Sequence, residues 1–419
     1  MNYPAEFIQA IPKNDLHVHL DGSLRPETLV DLARDQKVEL PSYTADGLQE
    51  TVFKDSYADL DEYLRGFAYT CKVMQDAESL ERVACELAQD NIDEGVRYME
   101  VRFAPQLHVS DRLTFEEVME SVDRGLRRAR DEFNAKLGPD EPEFEYGIIV
   151  TAMRFFTPAF STYYSDLARV HPYSSDDELI RMASLELAKG SVKLRNETDI
   201  QVVAFDLAGS EYGYPASAHQ EAYDYVHSNF MKKTVHAGEA YGPESIFQAI
   251  TKIHADRIGH GLRLFRTDMI YGDDVQDRER YVEQLANYIA DKRITVEVCL
   301  TSNLQTCPDL KSVADHSLGE MLDRNLSLSL CTDNRLVSKT TVTREIELAI
   351  EGFDIAPKQL KNIMIYGFKR SFFFRPYPEK RQWVRRITNY YARPEQRSGI
   401  AQGAPGRLRQ RRAHEAHPD

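Results

Sequence analysis

The chain of 419 residues contains little cysteine. Its five cysteines are odd in number and scattered, at Cys71, Cys85, Cys299, Cys307 and Cys331. A secreted disulfide framework normally uses an even number of cysteines at close spacing. The first six residues also lack the basic-then-apolar pattern of a secretion signal. We therefore predict a reduced, cytoplasmic protein.

Two further absences restrict the partners of this protein. No apolar run reaches the roughly 18 residues that mark a transmembrane helix, so we expect no membrane span. The 52 Lys and Arg residues are outnumbered by 67 Asp and Glu residues, and the formal net charge of -15 argues against a general nucleic-acid binder. There is also no Gly-x-Gly-x-x-Gly motif after a strand and no phosphate-binding loop. Neither a membrane nor a nucleic acid is therefore an expected partner.

What the chain does contain is a regular alternation of short apolar runs and helical patterns. We predict strands at 15–20, 97–103, 144–151, 201–207, 233–236, 257–259, 294–300 and 326–331. Eight such units argue for a parallel sheet and favour a closed α/β fold, a (β/α)8 TIM barrel over residues 1–393. An open doubly wound sheet is the alternative.

Three segments are predicted to depart from this alternation. Residues 46–93 are helical in pattern, and 157–178 indicates an irregular insertion because it mixes Pro, Ser, Tyr and Asp. From residue 394 the chain is rich in Arg, Gly, Ala, Gln and Pro, so we predict a disordered, solvated tail over 394–419. The basic cluster of this tail is Arg407, Arg409, Arg411 and Arg412.

Polar residues occur where several predicted strands end. His17 and His19 lie two apart on the first strand, so both imidazoles point to one face. The other strand-end residues are His236 and Glu239 after the fifth strand, His260 after the sixth, and Asp333 and Asn334 after the eighth. In a (β/α)8 barrel the active site lies at the C-terminal ends of the strands. Three histidines and one carboxylate there suit a zinc ion with an open position for water.

Each of these residues also has a plain structural explanation. The pair His17 and His19 alone does not decide between a metal site and ordinary packing, whereas four matching strand ends favour the metal site. Isolated histidines are more often structural or solvated. We assign that simpler role to His108, His171, His219, His227 and His254.

Five short motifs together resemble the adenosine deaminase family of the metal-dependent hydrolase superfamily. They are HVHLDG at 17–22, DLAGSE at 206–211, HAGE at 236–239, RIGHG at 257–261 and TDN at 332–334. The motifs fall within residues 15–334, and the similarity continues to around residue 391. His-x-His alone is not specific, but the combination of the five motifs is.

The resemblance implies a zinc-bearing (β/α)8 barrel with assigned catalytic roles. The zinc ligands would be His17, His19, His236 and Asp333, with one zinc per chain. Glu239 would be the acid that protonates purine N1. His260 would orient or deprotonate the water that the zinc activates, and Asp333 would share in handling the proton of that water.

The resemblance also implies the substrate contacts. Gly209 would offer its backbone N–H to purine N3, Asp21 would hold the ribose 5′-hydroxyl, and His19 would also face the substrate. The family usually has a second aspartate where this chain has Asn334. An amide donates a hydrogen bond to N7 at any pH, so this difference keeps the contact. An apolar lid over the pocket mouth is expected around Leu60, Leu64 and Phe67.

The implied activity is zinc-dependent hydrolytic deamination of adenosine and 2′-deoxyadenosine to inosine and 2′-deoxyinosine, with release of ammonia, in purine salvage. The absence of a Cys-x-x-Cys pair separates the chain from the cytidine-type zinc deaminases, and no lysine follows the fourth strand to support a binuclear site. One alternative is a deaminase of another 6-aminopurine, such as adenine, aminodeoxyfutalosine or an N6-modified AMP. Asp21 favours a free 5′-hydroxyl over a 5′-phosphate, because two anions repel. The other alternative is a non-catalytic binding or signalling protein of the same fold.

Overall fold

Eight parallel strands form the centre of the protein in the computed structural model, which describes residues 3–273 and 275–400. Their bounds are β1 Lys13–His19, β2 Val96–Phe103, β3 Glu145–Met153, β4 Val202–Ala208, β5 Lys232–Ala237, β6 Arg257–His260, β7 Thr295–Val298 and β8 Ser327–Leu330. The strands pair in sequence order, and β8 meets β1 through a parallel bridge between Val18 and Asp333. Backbone hydrogen bonds from Asp333 N to His17 O (2.8 Å) and from His19 N to Asp333 O (2.7 Å) complete the closure. The predicted (β/α)8 barrel is confirmed.

Helices alternate with the strands and form the outer layer. Their bounds are α1 Ala5–Ala10, α2 Pro26–Gln36, α3 Ala45–Thr51, α4 Leu60–Leu64, α5 Phe67–Thr70, α6 Ala77–Asp93, α7 Phe115–Asn134, α8 Thr162–Val170, α9 Asp176–Glu197, α10 Gln220–Ser228, α11 Pro243–Thr251, α12 Arg278–Lys292, α13 Leu300–Thr306, α14 Leu318–Asp323, α15 Val342–Gly352, α16 Pro357–Arg370 and α17 Tyr377–Arg397. The central strands are buried along nearly their whole length, as expected for a parallel sheet that helices cover. Within the described residues, no helix combines the length and the apolar character that crossing a membrane requires.

The region 46–93, predicted as helical throughout, is divided into four helices, α3 to α6. Local caps explain the interruptions. The side chains of Thr44, Asp59 and Asp76 accept hydrogen bonds from the first turns of α3, α4 and α6. A side chain that satisfies the free N–H groups of a helix start stabilises a new helix at that point. The periodicity of the apolar residues continued across these breaks and therefore hid them.

Two other predictions of local structure were wrong. The region 157–178 is not irregular throughout, because α8 begins after the cap Ser161, and the buried ring of Tyr164 stacks on Phe156 with centroids 4.0 Å apart. The seventh strand was predicted to reach residue 300, but β7 ends at Val298 and α13 begins at Leu300. At α8, tertiary packing of Tyr164 outweighed the local composition.

The C-terminal helix α17 passes the predicted domain boundary at residue 393. Pro394 and Glu395 are buried, and Glu395 accepts a hydrogen bond of 2.6 Å from Lys361 Nζ on α16. The prediction of disorder was therefore wrong for residues 394–397. The arginine cluster of the predicted tail lies outside the described residues.

Candidate active site

Side chains from four strand ends meet at the C-terminal end of the barrel. The ligand atoms of His17, His236, His260 and Asp333 all lie within 4.8 Å of one another. His19 joins them, because its Nε2 lies 3.1 Å from His236 Nε2 and 3.4 Å from Asp333 Oδ1. The four predicted metal ligands, here called the metal cluster (His17, His19, His236 and Asp333), are thus brought together beside His260.

The hydrogen bonds of the metal cluster fit a bound metal ion. His17 Nδ1 donates to Glu297 Oε2 at 2.8 Å, and His236 Nδ1 donates to Asp206 Oδ1 at 3.3 Å. When a carboxylate accepts a hydrogen bond from Nδ1–H, the proton of the neutral ring stays on Nδ1 and Nε2 keeps a free lone pair. This is the usual arrangement of metal-binding histidines. Nε2 of His17 is buried and has no hydrogen-bond partner. Imidazole nitrogens with one carboxylate form a ligand set that suits zinc.

The charge states of the cluster also suit a cation. Burial opposes ionisation of Asp333, but His17 Nε2 at 3.4 Å and the nearby His260 outweigh burial and hold the pKa of the Asp333 carboxyl well below its usual range. Burial also lowers the pKa of His19 well below its usual value, which Asp333 only partly offsets. The site therefore combines an ionised carboxylate at Asp333 with a neutral imidazole at His19.

Two residues of the site have a left-handed backbone conformation. The φ angles of His260 and Asp333 are 62° and 61°. Such angles cost non-glycine residues of the order of 1–3 kcal/mol and persist where the surrounding structure imposes them. At Asp333 the imposing contacts are the two backbone hydrogen bonds that close the barrel. The closure of β8 onto β1 therefore positions a predicted metal ligand.

Glu239 lies in the loop after β5, buried beside His260. Its Oε2 is 3.7 Å from His260 Nε2. Burial, followed by the negative charges of Asp333 and Glu211, raises the pKa of Glu239 well above its usual value. A carboxylic acid that keeps its proton near neutral pH can act as a general acid.

The carboxylate of Glu211 holds the loop that carries Glu239. It accepts backbone hydrogen bonds of 2.7–3.0 Å from four successive residues, and a further bond from the Ser245 hydroxyl. The four donors are Gly238, Glu239, Ala240 and Tyr241. This supporting role of Glu211 was not predicted, although the residue lies within a motif that the sequence singled out.

A chain of hydrogen bonds fixes the ring of His260. The backbone N–H of Leu318 donates to His316 Nδ1 (3.0 Å), so His316 carries its proton on Nε2 and donates to Asn303 Oδ1 (3.1 Å). The Asn303 amide then donates to His260 Nδ1 (3.1 Å). Because Nδ1 is an acceptor, the proton of neutral His260 lies on Nε2, which faces Glu239. Burial lowers the pKa of His260 well below its usual value.

A buried ion network supports the metal cluster from inside the barrel. Arg102 donates to Asp206 (3.0 Å) and Glu297 (2.8 Å), and Arg257 donates to Glu297 (2.7 Å). Removing one partner from a buried ion pair typically costs about 3–5 kcal/mol. We predicted no role for these residues from the sequence. At Glu297 the signal was a single charged residue in a buried strand that is otherwise uncharged.

Two of the predicted substrate contacts, Asp21 and Gly209, lie at the same end of the barrel as the metal cluster. Asp21 follows β1, is only 4% exposed, and its Oδ1 has no hydrogen-bond partner among the described residues. Gly209 follows β4 with a φ of 102°, a conformation that glycine adopts without strain. Both residues therefore lie at the strand ends where the sequence placed them.

Asn334 is hydrogen-bonded to α4, which with α5 forms the segment predicted to act as a lid, here called the predicted lid. Its Nδ2 donates a 2.8 Å hydrogen bond to the hydroxyl of Tyr63, which is itself 2.8 Å from Ser338 Oγ. One of the two N–H groups of the Asn334 amide is therefore used within the protein. The ring of Phe67 faces the His19 ring edge-on at 6.5 Å. The predicted lid is two helices rather than one, and Tyr63 is its unpredicted link to Asn334.

A cluster of nitrogen and oxygen ligands at the C-terminal end of a (β/α)8 barrel is the arrangement of a metal-dependent barrel hydrolase. The model of the adenosine deaminase family matches residues 12–390. The chain is 37% identical over 383 residues to adenosine deaminase 1 of Streptomyces coelicolor, covering 89% of this chain and 85% of that protein. The chain belongs to the adenosine deaminase family and is a deaminating hydrolase.

Solved structures with the same fold include deaminases named for other purines. The adenine deaminase of Arthrobacter aurescens aligns with a TM-score of 0.72 at 20% identity, covering 91% of this chain and 100% of that one. The N6-mAMP deaminase of arabidopsis aligns with a TM-score of 0.70 at 25% identity, covering 92% and 99%. The fold is thus shared by deaminases whose names differ in the purine.

Proposed function

We propose that this protein hydrolyses adenosine and 2′-deoxyadenosine at C6, taking up water and releasing ammonia with inosine or 2′-deoxyinosine. The observation that carries the proposal is the buried Glu239, whose pKa is raised well above its usual value and whose Oε2 is 3.7 Å from His260 Nε2. A proton donor beside a neutral imidazole, facing a metal cluster, is what deamination of a 6-aminopurine requires.

The metal cluster of His17, His19, His236 and Asp333 would hold one Zn²⁺ at this centre. When bound, zinc supplies a water activated for attack at neutral pH. Two observations support this assignment: the buried Nε2 of His17 has no hydrogen-bond partner, and Asp333 is ionised.

The residues of the chain itself move and hold the protons. Glu239 gives its proton to purine N1, which breaks the ring conjugation and allows C6 to become tetrahedral. His260, with Nδ1 occupied by Asn303, can only present Nε2 to the attacking water. Asp333, ionised at neutral pH, accepts a hydrogen bond from that water and orients it with His260.

The substrate contacts distinguish a nucleoside from a nucleotide. Asp21 would accept a hydrogen bond from the ribose 5′-hydroxyl through its unpartnered Oδ1. Burial raises the pKa of Asp21 to about 7, and the ionised form of this carboxyl would repel a phosphate. Gly209 would donate its N–H to N3, Asn334 would donate its second N–H to N7, and His19 would border the ribose.

All five cysteines are free, which fits a reducing compartment. We therefore assign the protein to purine salvage in the cytoplasm.

A panel of 6-aminopurines tests this proposal. Adenosine and 2′-deoxyadenosine should have the highest kcat/KM, and adenine, AMP and N6-methyl-AMP should be much poorer substrates. Adenine would leave the Asp21 contact unused, whereas the two nucleotides would place a phosphate against it. Turnover of AMP or adenine at the rate of adenosine would overturn the assignment of Asp21 and the nucleoside preference.

A further inference from the structure

A second group of possible metal ligands lies beside the active site. Single ligand atoms of Asp21, Cys71 and His108 all lie within 4.8 Å of one another. Asp21 follows β1, Cys71 begins the 3-10 turn Cys71–Val73 after α5, and His108 follows the 3-10 turn Pro105–Leu107 after β2. Three separate segments of the chain thus converge on one point. We call these three residues the second cluster.

Two buried atoms of the second cluster lack a partner. His108 is fully buried, and its Nδ1 lies 2.9 Å from the backbone carbonyl of Met74. A carbonyl oxygen can only accept a hydrogen bond, so Nδ1 carries the ring proton and Nε2 has a free lone pair. This Nε2 has no hydrogen-bond partner, and neither has Oδ1 of Asp21, which is 4% exposed. Buried polar atoms normally find partners, so these two indicate an absent ligand.

The protonation states of the three ligand atoms in the second cluster favour a cation as the missing partner. Burial lowers the pKa of His108 to about 4, so this imidazole is neutral at physiological pH. Cys71 Sγ lies 4.0 Å from Asp21 Oδ2, so its S–H faces that oxygen and leaves Oδ1 of Asp21 and Nε2 of His108 without a partner. A water molecule would donate to at most two acceptors, Oδ1 of Asp21 and Nε2 of His108, whereas a metal ion also binds the sulfur of Cys71.

We propose that Asp21, Cys71 and His108 form a second metal site, for a divalent ion of the zinc class. A nitrogen, a sulfur and an oxygen ligand suit zinc and exclude the hard ions that prefer oxygen alone. His108 has the outer contact that metal-binding histidines usually make, an N–H held by a backbone carbonyl. Cys71 is partly exposed, so an ion can reach the site. On binding, a sulfur–metal bond replaces the S–H bond of Cys71, and the proton passes to solvent.

This site differs from what the sequence suggested. One zinc per chain was expected, and His108 was assigned a structural or solvated role. The second cluster and the proposed substrate site share one residue. Asp21 belongs to the second cluster and, under the proposed function, also binds the ribose 5′-hydroxyl. The second ion and the nucleoside should therefore compete for Asp21. This consequence rests on the proposed function, while the site itself does not.

Cobalt titration tests the second site directly. The full chain is stripped with a chelator and titrated with Co²⁺ while the near-ultraviolet spectrum and bound metal are measured. Only a site with a thiolate ligand gives a sulfur-to-cobalt charge-transfer band, and the metal cluster at the centre contains no cysteine. The native chain should bind two equivalents, one of which produces this band.

Two variants and a control locate the band. Cys71→Ser and His108→Ala should each lose one equivalent and the charge-transfer band while keeping the other equivalent. Cys85→Ser, which changes another free cysteine outside the second cluster, should keep both. A native chain that binds one equivalent without the band overturns the proposal, and so does a band that survives in Cys71→Ser. Because Cys71→Ser is a one-atom change, the test does not depend on the folding of His108→Ala.

Kinetics separate this proposal from the proposed function. With one equivalent of metal the chain should deaminate adenosine, and filling the second site should raise KM for adenosine with kcat unchanged. Cys71→Ser should lose this rise in KM. A chain that shows the thiolate band but no turnover of adenosine would retain the second site and lose the proposed function. A chain that turns over adenosine without the band would do the reverse.

Discussion

At the scale of single residues, the catalytic centre depends on which atom holds each proton. Glu239 keeps its proton because burial and the charges of Asp333 and Glu211 disfavour the carboxylate. His260 keeps its proton on Nε2 because the Asn303 amide occupies Nδ1. The same residues in other contacts would have other protonation states, so the neighbours determine the chemistry as much as the residues themselves do.

Replacing Glu239 by glutamine should preserve the site and remove its acid. Glutamine fills the same space but cannot transfer a proton to N1. General acid–base groups contribute typically about 10²–10⁴-fold to the rate, so we expect kcat for adenosine to fall by about that factor in Glu239→Gln, with metal content unchanged. Steady-state kinetics and elemental analysis would measure both.

The matched control for this variant is Glu244→Gln. Glu244 also accepts backbone hydrogen bonds, from Tyr271 and Gly272, but at a partly exposed position outside the metal cluster. Its replacement should leave kcat near the native value. A Glu239→Gln enzyme of near-native rate would remove Glu239 from the mechanism.

At the scale of elements, the predicted lid is joined by hydrogen bonds to the loop that follows β8. Tyr63 on α4 is almost fully buried, accepts a hydrogen bond from Asn334 and is 2.8 Å from Ser338 Oγ. Tyr57, which precedes α4, donates through its hydroxyl to the backbone of Val337 at 3.3 Å. A movement of the lid would therefore disturb Asn334, the predicted N7 donor.

Tyr63→Phe should loosen this connection. The variant leaves the Asn334 amide and the Ser338 hydroxyl without a buried partner, and each such loss costs about 1–3 kcal/mol. We expect a lower free energy of unfolding and a higher KM for adenosine, because Asn334 is no longer held in place. Tyr43→Phe, which removes an exposed hydroxyl bonded to Val38 O outside the lid, should change neither. An unchanged KM in Tyr63→Phe would separate the lid from substrate binding.

At the scale of the whole molecule, buried neutral histidines make stability depend on pH. Burial lowers the pKa of His219 from 6.5 to about 3, and its Nδ1 lies 2.6 Å from Ser184 Oγ. Between these two pKa values the unfolded chain binds a proton that the folded chain does not. The contribution of His219 is therefore fully present above pH 6.5 and is lost as the pH falls below it.

Replacing His219 by glutamine should flatten the acid limb of the stability curve. Each such histidine contributes a slope of up to about 1.4 kcal/mol per pH unit in this window. Denaturant unfolding of the metal-free native chain and of His219→Gln, at several values between pH 4 and 7, would measure the difference. Gln in place of the exposed His171 should leave the slope unchanged. Equal slopes in the native chain and His219→Gln would show that His219 is not buried neutral.

The barrel and its strand-end residues were predicted from the sequence because both depend on local pattern. Short apolar runs that alternate with helical periodicity indicate a βα repeat wherever they occur. His17 and His236 lie near the ends of such runs, and Asp333 follows one. The helix breaks at Thr44, Asp59 and Asp76 were missed, although a capping residue is also a local signal, because the continuing apolar periodicity masked them. The helix α8 was missed because the burial of Tyr164 depends partly on a remote contact, its hydroxyl donating to Gln106 Oε1 (3.2 Å), 58 positions earlier in the chain.

The sequence by itself determined the eightfold alternation, the residues at the strand ends and the family motifs. Only the tertiary structure decided which atoms pair, because the partners are far apart along the chain: His17 and Glu297 are separated by 280 positions and lie 2.8 Å apart. The pairing of His260 with Asn303 and the convergence of Asp21, Cys71 and His108 were decided in the same way. Parallel strands bring together side chains from remote segments at one end of a barrel, and no local pattern records which of them will meet.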